Sequence, residues 1–384
     1  MNRDDFTKEQ RKHLVKTQKD YFAYSPPPLE PQISTRMDLV NKLSEADRSL
    51  SELAGIGRTL PNPHLLIGPF LRREAVLSSR IEGTQASLSD LLFFEAASLK
   101  EKEQPDVREV ANYVGALEYG LKRLEEIPVS IRLIKELHER LMRGVRGRNK
   151  TPGQFRRSQN WIGPPGCTLV EASYVPPPVA EMKRALDLFE KYLHEQSILP
   201  PLVRLSVIHY QFEAIHPFLD GNGRIGRLLI TLLLYSEGLL SQPLLYLSAF
   251  FEKHRREYYQ YLLDVSRKGD WNQWIGFFLE ATADQSKDAI MRSDQLLALW
   301  RSYRARVQEA RASALLLDLV DQLFMYPVLT NKVTSERLSI TPRSTQNNIE
   351  KLVSAGILKE VTGRKRNRVY VAQEIMSIIE REDI

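Results

Sequence analysis

The stretch "HPFLDGNGRIGR", His216–Arg227, brings one imidazole, one carboxylate, a Gly–Asn–Gly turn and two guanidinium groups together. Two glycines around Asn222 permit unusual dihedrals and a close backbone approach. A long helical run begins directly afterwards, so its free N–H groups and positive dipole end face Gly221–Asn222–Gly223, an arrangement suited to phosphate. Arg224 and Arg227 are three apart and share a helix face near that end, where each can hold further phosphate oxygens. Asp220 is a hard oxygen donor placed to hold Mg²⁺ against phosphates; as a residue type it also suits a helix N-cap. His216, at the other lip of the turn, can take a proton from a hydroxyl near neutral pH. The chemistry these groups suit is movement of a nucleotide from a triphosphate onto a hydroxyl, with Mg-pyrophosphate leaving.

The same stretch resembles the signature of the Fic family, H-x-F-x-[D/E]-G-N-G-R-x-x-R, with every specified position filled. The resemblance implies an all-helical Fic core that acts as a nucleotidyltransferase, moving AMP from ATP to a Ser, Thr or Tyr hydroxyl of a protein target, in some cases the chain itself. It implies His216 as general base, Asp220 as the Mg²⁺ ligand and Arg227 as a contact of the γ-phosphate. Doc-type phosphotransferases carry lysine where this chain has Gly223, so the resemblance favours AMP over phosphate as the transferred group. "GQFRRSQNWIGPP" with the later "YVPPP" is similar to the Fic flap, which pairs with the target segment and borders the nucleotide; Asn160, Trp161, Ile162 and Gly163 are its nucleotide-facing part. "REYYQYL" is similar to the segment that supplies an adenine-pocket aromatic in some relatives. Tyr258 is assigned there, although Tyr258 and Tyr259 fit a core equally well. "SSRIEG" resembles the inhibitory motif [S/T]-x-x-x-E-[G/N], with Ser78, Glu82 and Gly83. Glu82 would then pair with Arg227 and take the place of the γ-phosphate. In some relatives the same glutamate orients a water that removes AMP. Transfer of UMP or GMP, and an ATP-sensing DNA-binding regulator, are the other readings of this pocket.

The elements that must position these residues are helical. Patterned runs cover 35–55, about 63–81 (ending at Gly83), "DVREVANYVGALEYGLKRL" and "SIRLIKELHERLM". Residues 147–178 are Gly- and Pro-rich, with short β-prone runs that predict a small hairpin or extended flap. "PLVRLSVIHYQFEAI" leads into the motif. "IGRLLITLLLYSEGLL" leads out of it and is apolar nearly all round, which predicts a central buried helix. In the last part of the chain, "LLDLVDQLF", "TSERL" and "TPRSTQNNIEKLVSAGI" predict three helices and "LKEVTGRKRNRVYVA" a hairpin with a basic tip. This part resembles a winged helix-turn-helix. Such modules bind DNA phosphates and a groove, and also serve as protein-interaction or homodimer modules.

The expected architecture is therefore mostly α: an N-terminal region, 1–105, with the inhibitory helix at about 63–83; a Fic-type helical bundle, 106–300, with its flap at about 152–178; and a winged helix-turn-helix domain at 311–384. The 384 residues carry a net charge of +6, which suits polyanionic ligands without choosing among them. No apolar run approaches the ~20 residues of a membrane span. The first residues lack a signal-peptide core, and Cys167 is the only cysteine, so no intrachain disulfide forms. A cytoplasmic protein is expected, with ATP and a protein target as partners and Mg²⁺ as cofactor.

Overall fold

The computed structural model describes residues 1–384 apart from 18, 32, 35, 60–61, 97–104, 146–149, 165, 310–312 and 382–384. The chain opens with two 3₁₀ turns and a short antiparallel hairpin, β1 (Leu14–Lys16) and β2 (Phe22–Tyr24), with Leu14 opposite Tyr24. Sequence patterning did not predict this hairpin. It is only three residues per strand; its turn is closed by Thr17 N–H donating to Tyr21 O at 2.9 Å, and Tyr24 N–H donates to Val175 O at 2.9 Å, so the distant flap region helps to hold it.

Helices follow in close succession: α1 (Met37–Thr59), α2 (His64–Ile81), α3 (Leu88–Ala96), α4 (Pro105–Arg123), α5 (Ile131–Leu141), α6 (Val179–His194), α7 (Pro201–Ile215) and α8 (Asn222–Ser236). Local chemistry sets several ends. Ser130 caps α5 by accepting from Leu133 N–H, and Leu133, Ile134, Leu137, His138 and Leu141 make its buried stripe. Pro201 opens α7, where its missing N–H is not needed. Of α8, Asn222 and every residue from Arg224 to Leu234 are buried, because α2, α4, α5 and α7 all pack against it. An amphipathic pattern is absent for that reason, as a central helix requires.

The chain continues with α9 (Ser248–Lys253), α10 (Arg255–Lys268), α11 (Trp271–Glu309) and α12 (Ala314–Met325). The 39-residue α11 runs unbroken past residue 300 and lies along α1; neither Gly-Pro nor a turn cluster interrupts its second half, Asp288–Glu309. The last elements are β3 (Val328–Thr330), α13 (Asn331–Leu338), α14 (Pro342–Ser354), β4 (Lys359–Glu360), β5 (Val369–Val371) and α15 (Gln373–Glu380). The three strands form an antiparallel sheet in the order β3-β5-β4. Helix α15 adds an element beyond the three helices and hairpin that the sequence predicted here. Its Ile375, Met376 and Ile379 are buried. The whole is a mostly helical fold with small antiparallel sheets. Among the described residues no helix is long and apolar enough to cross a membrane.

Candidate active site

The loop between α7 and α8 is held almost entirely through its carbonyls. His216 ends α7 in the left-handed region, φ 48 and ψ 60, a conformation that a non-glycine residue adopts only when its surroundings impose it. Those surroundings are specific. The His216 carbonyl accepts from Arg156 Nε at 3.0 Å and Asn160 Nδ2 at 3.3 Å. Pro217 O accepts from Arg156 N–H at 2.9 Å. Phe218 O accepts from Asn160 Nδ2 at 2.8 Å and Asn222 Nδ2 at 2.9 Å. Asp220 O lies 3.1 Å from His138 Nε2. Gly221 then turns with φ 75, and the first N–H groups of α8 are left without helical partners. Both polar ends of the Asn222 side chain are used on Phe218, whose N–H it accepts at 2.8 Å, so toward an anion Asn222 offers its backbone only.

His138 and Arg156 were not singled out by sequence reasoning. Gly153 N–H donates to His138 Nδ1 at 2.9 Å, which makes the ring a neutral Nε2–H donor to Asp220 O. Its plane lies 7° from that of Phe218 at 3.7 Å. Burial pushes its pKa down to about 4, so this tautomer persists at neutral pH. A lone histidine on the apolar stripe of α5 reads as core, and Arg156 is indistinguishable in sequence from its neighbour Arg157, which is exposed.

At His216 itself, Nδ1 is 3.3 Å from Glu213 O. A carbonyl only accepts, so Nδ1 carries the proton and Nε2 is the free base. Burial pushes this pKa down to about 4, partly opposed by the Glu213 carbonyl. The ring is thus neutral and able to accept a proton.

The end of α2 closes over the start of α8. Glu82 Oε1 accepts from Arg227 Nη2 at 2.8 Å, and it lies so close to Gly223 that a Cβ there would sit 2.2 Å from it. Any side chain at 223 would displace this carboxylate. Arg227 also donates through Nε to Ser78 Oγ and through Nη2 to Ser78 O, each at 2.9 Å. Its side chain is 1% exposed, that of Glu82 29%. Burial works against the Glu82 charge, but Arg227 and then Arg224 outweigh it and hold the carboxyl below its usual range. Gly83 follows in a left-handed turn, φ 97.

Two further carboxyls surround Arg227 and behave oppositely. Burial pushes Glu213 up to about 8 and Glu74 up to about 7. Glu213 Oε1 is buried without a hydrogen-bond partner. Arg224 is buried and reaches Glu109 at 3.4 Å and Asp220 at 3.7 Å. Asp220 itself accepts from Gly221 N–H at 2.7 Å and is 43% exposed at the lip of the loop.

The flap is a single antiparallel bridge between Ile162 and Tyr174 rather than a full hairpin. Trp161 is exposed, with Nε1 donating to Cys167 O at 3.0 Å, and Gly163 passes close to Cys167 Sγ. Tyr258 is not presented to the site. It is 1% exposed, and its hydroxyl donates at 2.8 Å to His209 Nε2, whose Nδ1 in turn donates to Gly226 O at 3.1 Å. Adjacent residues on a helix point about 100° apart, so it is Tyr259, 43% exposed and within electrostatic reach of Glu82 and Arg227, that faces outward.

Comparison with known proteins matches this region. Residues 40–122 fit the model of the Fic/DOC family N-terminal region and residues 128–234 that of the Fic/DOC family. Relatives include the protein adenylyltransferases Fic of Drosophila erecta and Drosophila melanogaster, each 30% identical over 161 residues. That match covers 41% of this chain but only 29% of each relative. Among solved structures, a Fic family protein from Desulfovibrio desulfuricans is similar over 89% of this chain and 98% of its own, with a TM-score of 0.56 and 20% identity. A Fic domain-containing signaling protein from Bacteroides thetaiotaomicron gives 0.52 at 18% identity, over 66% of this chain and 97% of its own. These likenesses show a shared fold.

Proposed function

Because this chain belongs to the Fic/DOC family, we propose that it is a protein adenylyltransferase that moves AMP from ATP to a Ser, Thr or Tyr hydroxyl of a protein target, held in check by Glu82. One observation carries the reading: a single carboxylate, Glu82, neutralises Arg227 directly over Gly223, while His216 waits across the loop with Nε2 unprotonated. A triphosphate is the natural competitor for that carboxylate. Its γ-phosphate would take the Glu82 position on Arg227, and its inner phosphates the N–H groups at the start of α8.

In the reaction the target hydroxyl oxygen attacks the α-phosphorus. The bond from that phosphorus to the bridging oxygen breaks, pyrophosphate leaves with the electron pair, and His216 Nε2 takes the hydroxyl proton. The backbone amides at the start of α8, on a loop fixed by Asn222, Asn160, Arg156 and His138, would hold the α- and β-phosphates in place. Asp220 fits Mg²⁺: it is exposed, one oxygen is free of the Gly221 bond, and an ion bound chiefly by phosphates and water needs one protein carboxylate. Mg²⁺ there would neutralise charge on the phosphates. Of the two tyrosines, Tyr259 is the one able to border a base.

The test is self-labelling by α-labelled ATP, with GTP and UTP as competitors. Glu82→Gly should raise incorporation. His216→Ala should lower the Glu82→Gly rate by ~10²–10⁴, the usual loss with a general base. A Glu82→Gly form no faster than the parent would end the autoinhibition reading; faster release of AMP than its addition would make removal the main reaction. We place the activity in the cytoplasm, on the strength of a single cysteine among 384 residues.

The order α12–β3–α13–α14–β4–β5, with β3 beside β5, supports a winged helix-turn-helix in the C-terminal part. Lys365, Arg366 and Arg368 lie exposed between β4 and β5, which favours DNA as a partner. Binding to duplex at low salt that weakens as salt rises is expected; no shift at low salt would remove DNA.

A further inference from the structure

We infer that the C-terminal module clamps the inhibitory helix α2 and so sets how readily Glu82 leaves Arg227; the inference rests on reading Glu82 as the brake. Helix α2 carries two sets of contacts, centred about 100° apart round its axis. Positions 74, 78 and 82 recur every four residues and face the site. Glu74 accepts from Tyr113 Oη at 3.0 Å and Ser248 Oγ at 2.5 Å. Ser78 and Glu82 accept from Arg227. Positions 68 and 72 are also four apart, and each lies about 80° round the axis from the residue ten further on, 78 or 82.

That second face meets the C-terminal module. A Cβ added at Gly68 would lie 3.0 Å from Met325 Cγ and 3.1 Å from Met325 Cα, so the two backbones approach closely where α12 ends. One turn on, Arg72 is buried, with its guanidinium 4.9 Å from the ring centroid of Tyr326. Arg337 of α13 approaches the same ring at 3.5 Å. Tyr326 is therefore gripped by one arginine from the inhibitory helix and one from the module. Arg72 also bonds Glu95 at 2.7 Å, fixing it against α3, whose last residue, Ala96, accepts from Thr330 Oγ1 of β3 at 3.1 Å.

A second set of contacts sits beside the first. Arg73 of α2 is 3.6 Å from Asp288 of α11. Asp288 accepts from Arg292 at 2.7 Å, and Arg292 donates to the carbonyls of Ile378 and Arg381 at 2.5 and 2.9 Å. The module thus holds α2 through α12 and, by way of α11, through α15. The only proline inside α2 is Pro69. From Phe70 to Ile81 the helix is uninterrupted, so displacement at Arg72 and Arg73 is carried as a rigid unit to Ser78 and Glu82. A helix released from the module can withdraw Glu82; a helix held there keeps it on Arg227.

The test uses the full chain in four forms: parent, Tyr326→Ala, Glu82→Gly and the double variant. It reads AMP incorporation from α-labelled ATP together with amide hydrogen exchange. Tyr326→Ala should raise incorporation roughly 2- to 30-fold, the range of coupling changes seen for residues outside the ligand contacts. It should also speed exchange across 74–82, and it should add nothing in the Glu82→Gly background. Met325→Ala, which opens the Gly68 contact by truncation alone, should act in the same direction and decides the matter where Tyr326→Ala does not fold. Faster exchange in 314–325 with incorporation at the parent level, while Glu82→Gly still activates, would overturn the clamp and leave the brake standing. An equal gain from Tyr326→Ala with and without Glu82 would also overturn it. Failure of Glu82→Gly itself to activate would take the brake, and the clamp with it.

Discussion

Arg227 and Arg292 are both buried guanidinium groups with side chains 1% exposed, yet their surroundings differ in kind. Arg292 is matched by Asp288, 11% exposed, and donates to backbone carbonyls of α15 that cannot leave without unfolding the helix end. Arg227 is matched by Glu82, the cap residue at the end of α2, whose side chain is 29% exposed and can turn into water. A buried charge whose counterion is locked is a structural joint. A buried charge whose counterion is replaceable is a binding site temporarily filled, and this difference separates the candidate site from the rest of the polar interior. The tyrosine pair on α10 makes the same distinction: Tyr258 is locked onto His209, Tyr259 is open.

The largest effect that would sharpen the contrast is at Arg292. Arg292→Ala should lower unfolding free energy by about 3–5 kcal/mol, the usual loss when one partner of a buried pair is removed, measured as a shift in the urea midpoint. A loss under about 1 kcal/mol would show this joint to be as replaceable as the other. The next effect is at Arg227. Glu82→Gly should leave the guanidinium uncompensated and lower the melting temperature without nucleotide. ATP should then restore it, with a larger rise than in the parent, since a ligand at about 100 times its Kd contributes about 2.7 kcal/mol. An ATP-induced rise no greater than in the parent would mean that Glu82 does not occupy a phosphate position.

The amino-acid sequence revealed the parts of the site that are contiguous in the chain. His216, Asp220, the glycine turn and Arg227 sit in one loop and one helical turn, so residue type and spacing alone convey their relation. Ser78 and Glu82 lie far from Arg227 along the chain, and only a motif likeness joined them to it. Arg156, His138 and Glu213 stayed hidden because their roles arise from tertiary approach: each acts on backbone or on a neighbour that packing alone brings near. The choice between Tyr258 and Tyr259 depends on the rotational setting of α10, which a half-turn of ambiguous aromatics cannot fix. In the fold, long patterned helices were readable within a few residues, whereas the N-terminal hairpin and the eight-residue α15 are too short to outweigh their surroundings and are held by distant partners.

The smallest effect tests whether Glu82 is alone in answering Arg227. Glu213 stands near the same guanidinium, but burial pushes its carboxyl up to about 8 against the pull of Arg227, with the Glu82 charge adding to the rise. Between the ordinary value of 4.5 and about 8 the folded chain keeps a proton there that the unfolded chain releases. Stability contributed by this group is therefore full below pH 4.5 and is lost as pH rises through about 8, by at most about 1.4 kcal/mol per pH unit. Glu82 has the opposite sign: held low by Arg227, its contribution is present above pH 4.5 and is lost as pH falls below that value. Glu213→Gln should remove only the first slope. The unfolding free energy of the variant, minus that of the parent, should thus climb from pH 4.5 to pH 8 while the loss below 4.5 persists. A flat difference across that window would mean that Glu213 is ionised beside Arg227, that two carboxylates rather than one neutralise it, and that a triphosphate would have to displace both.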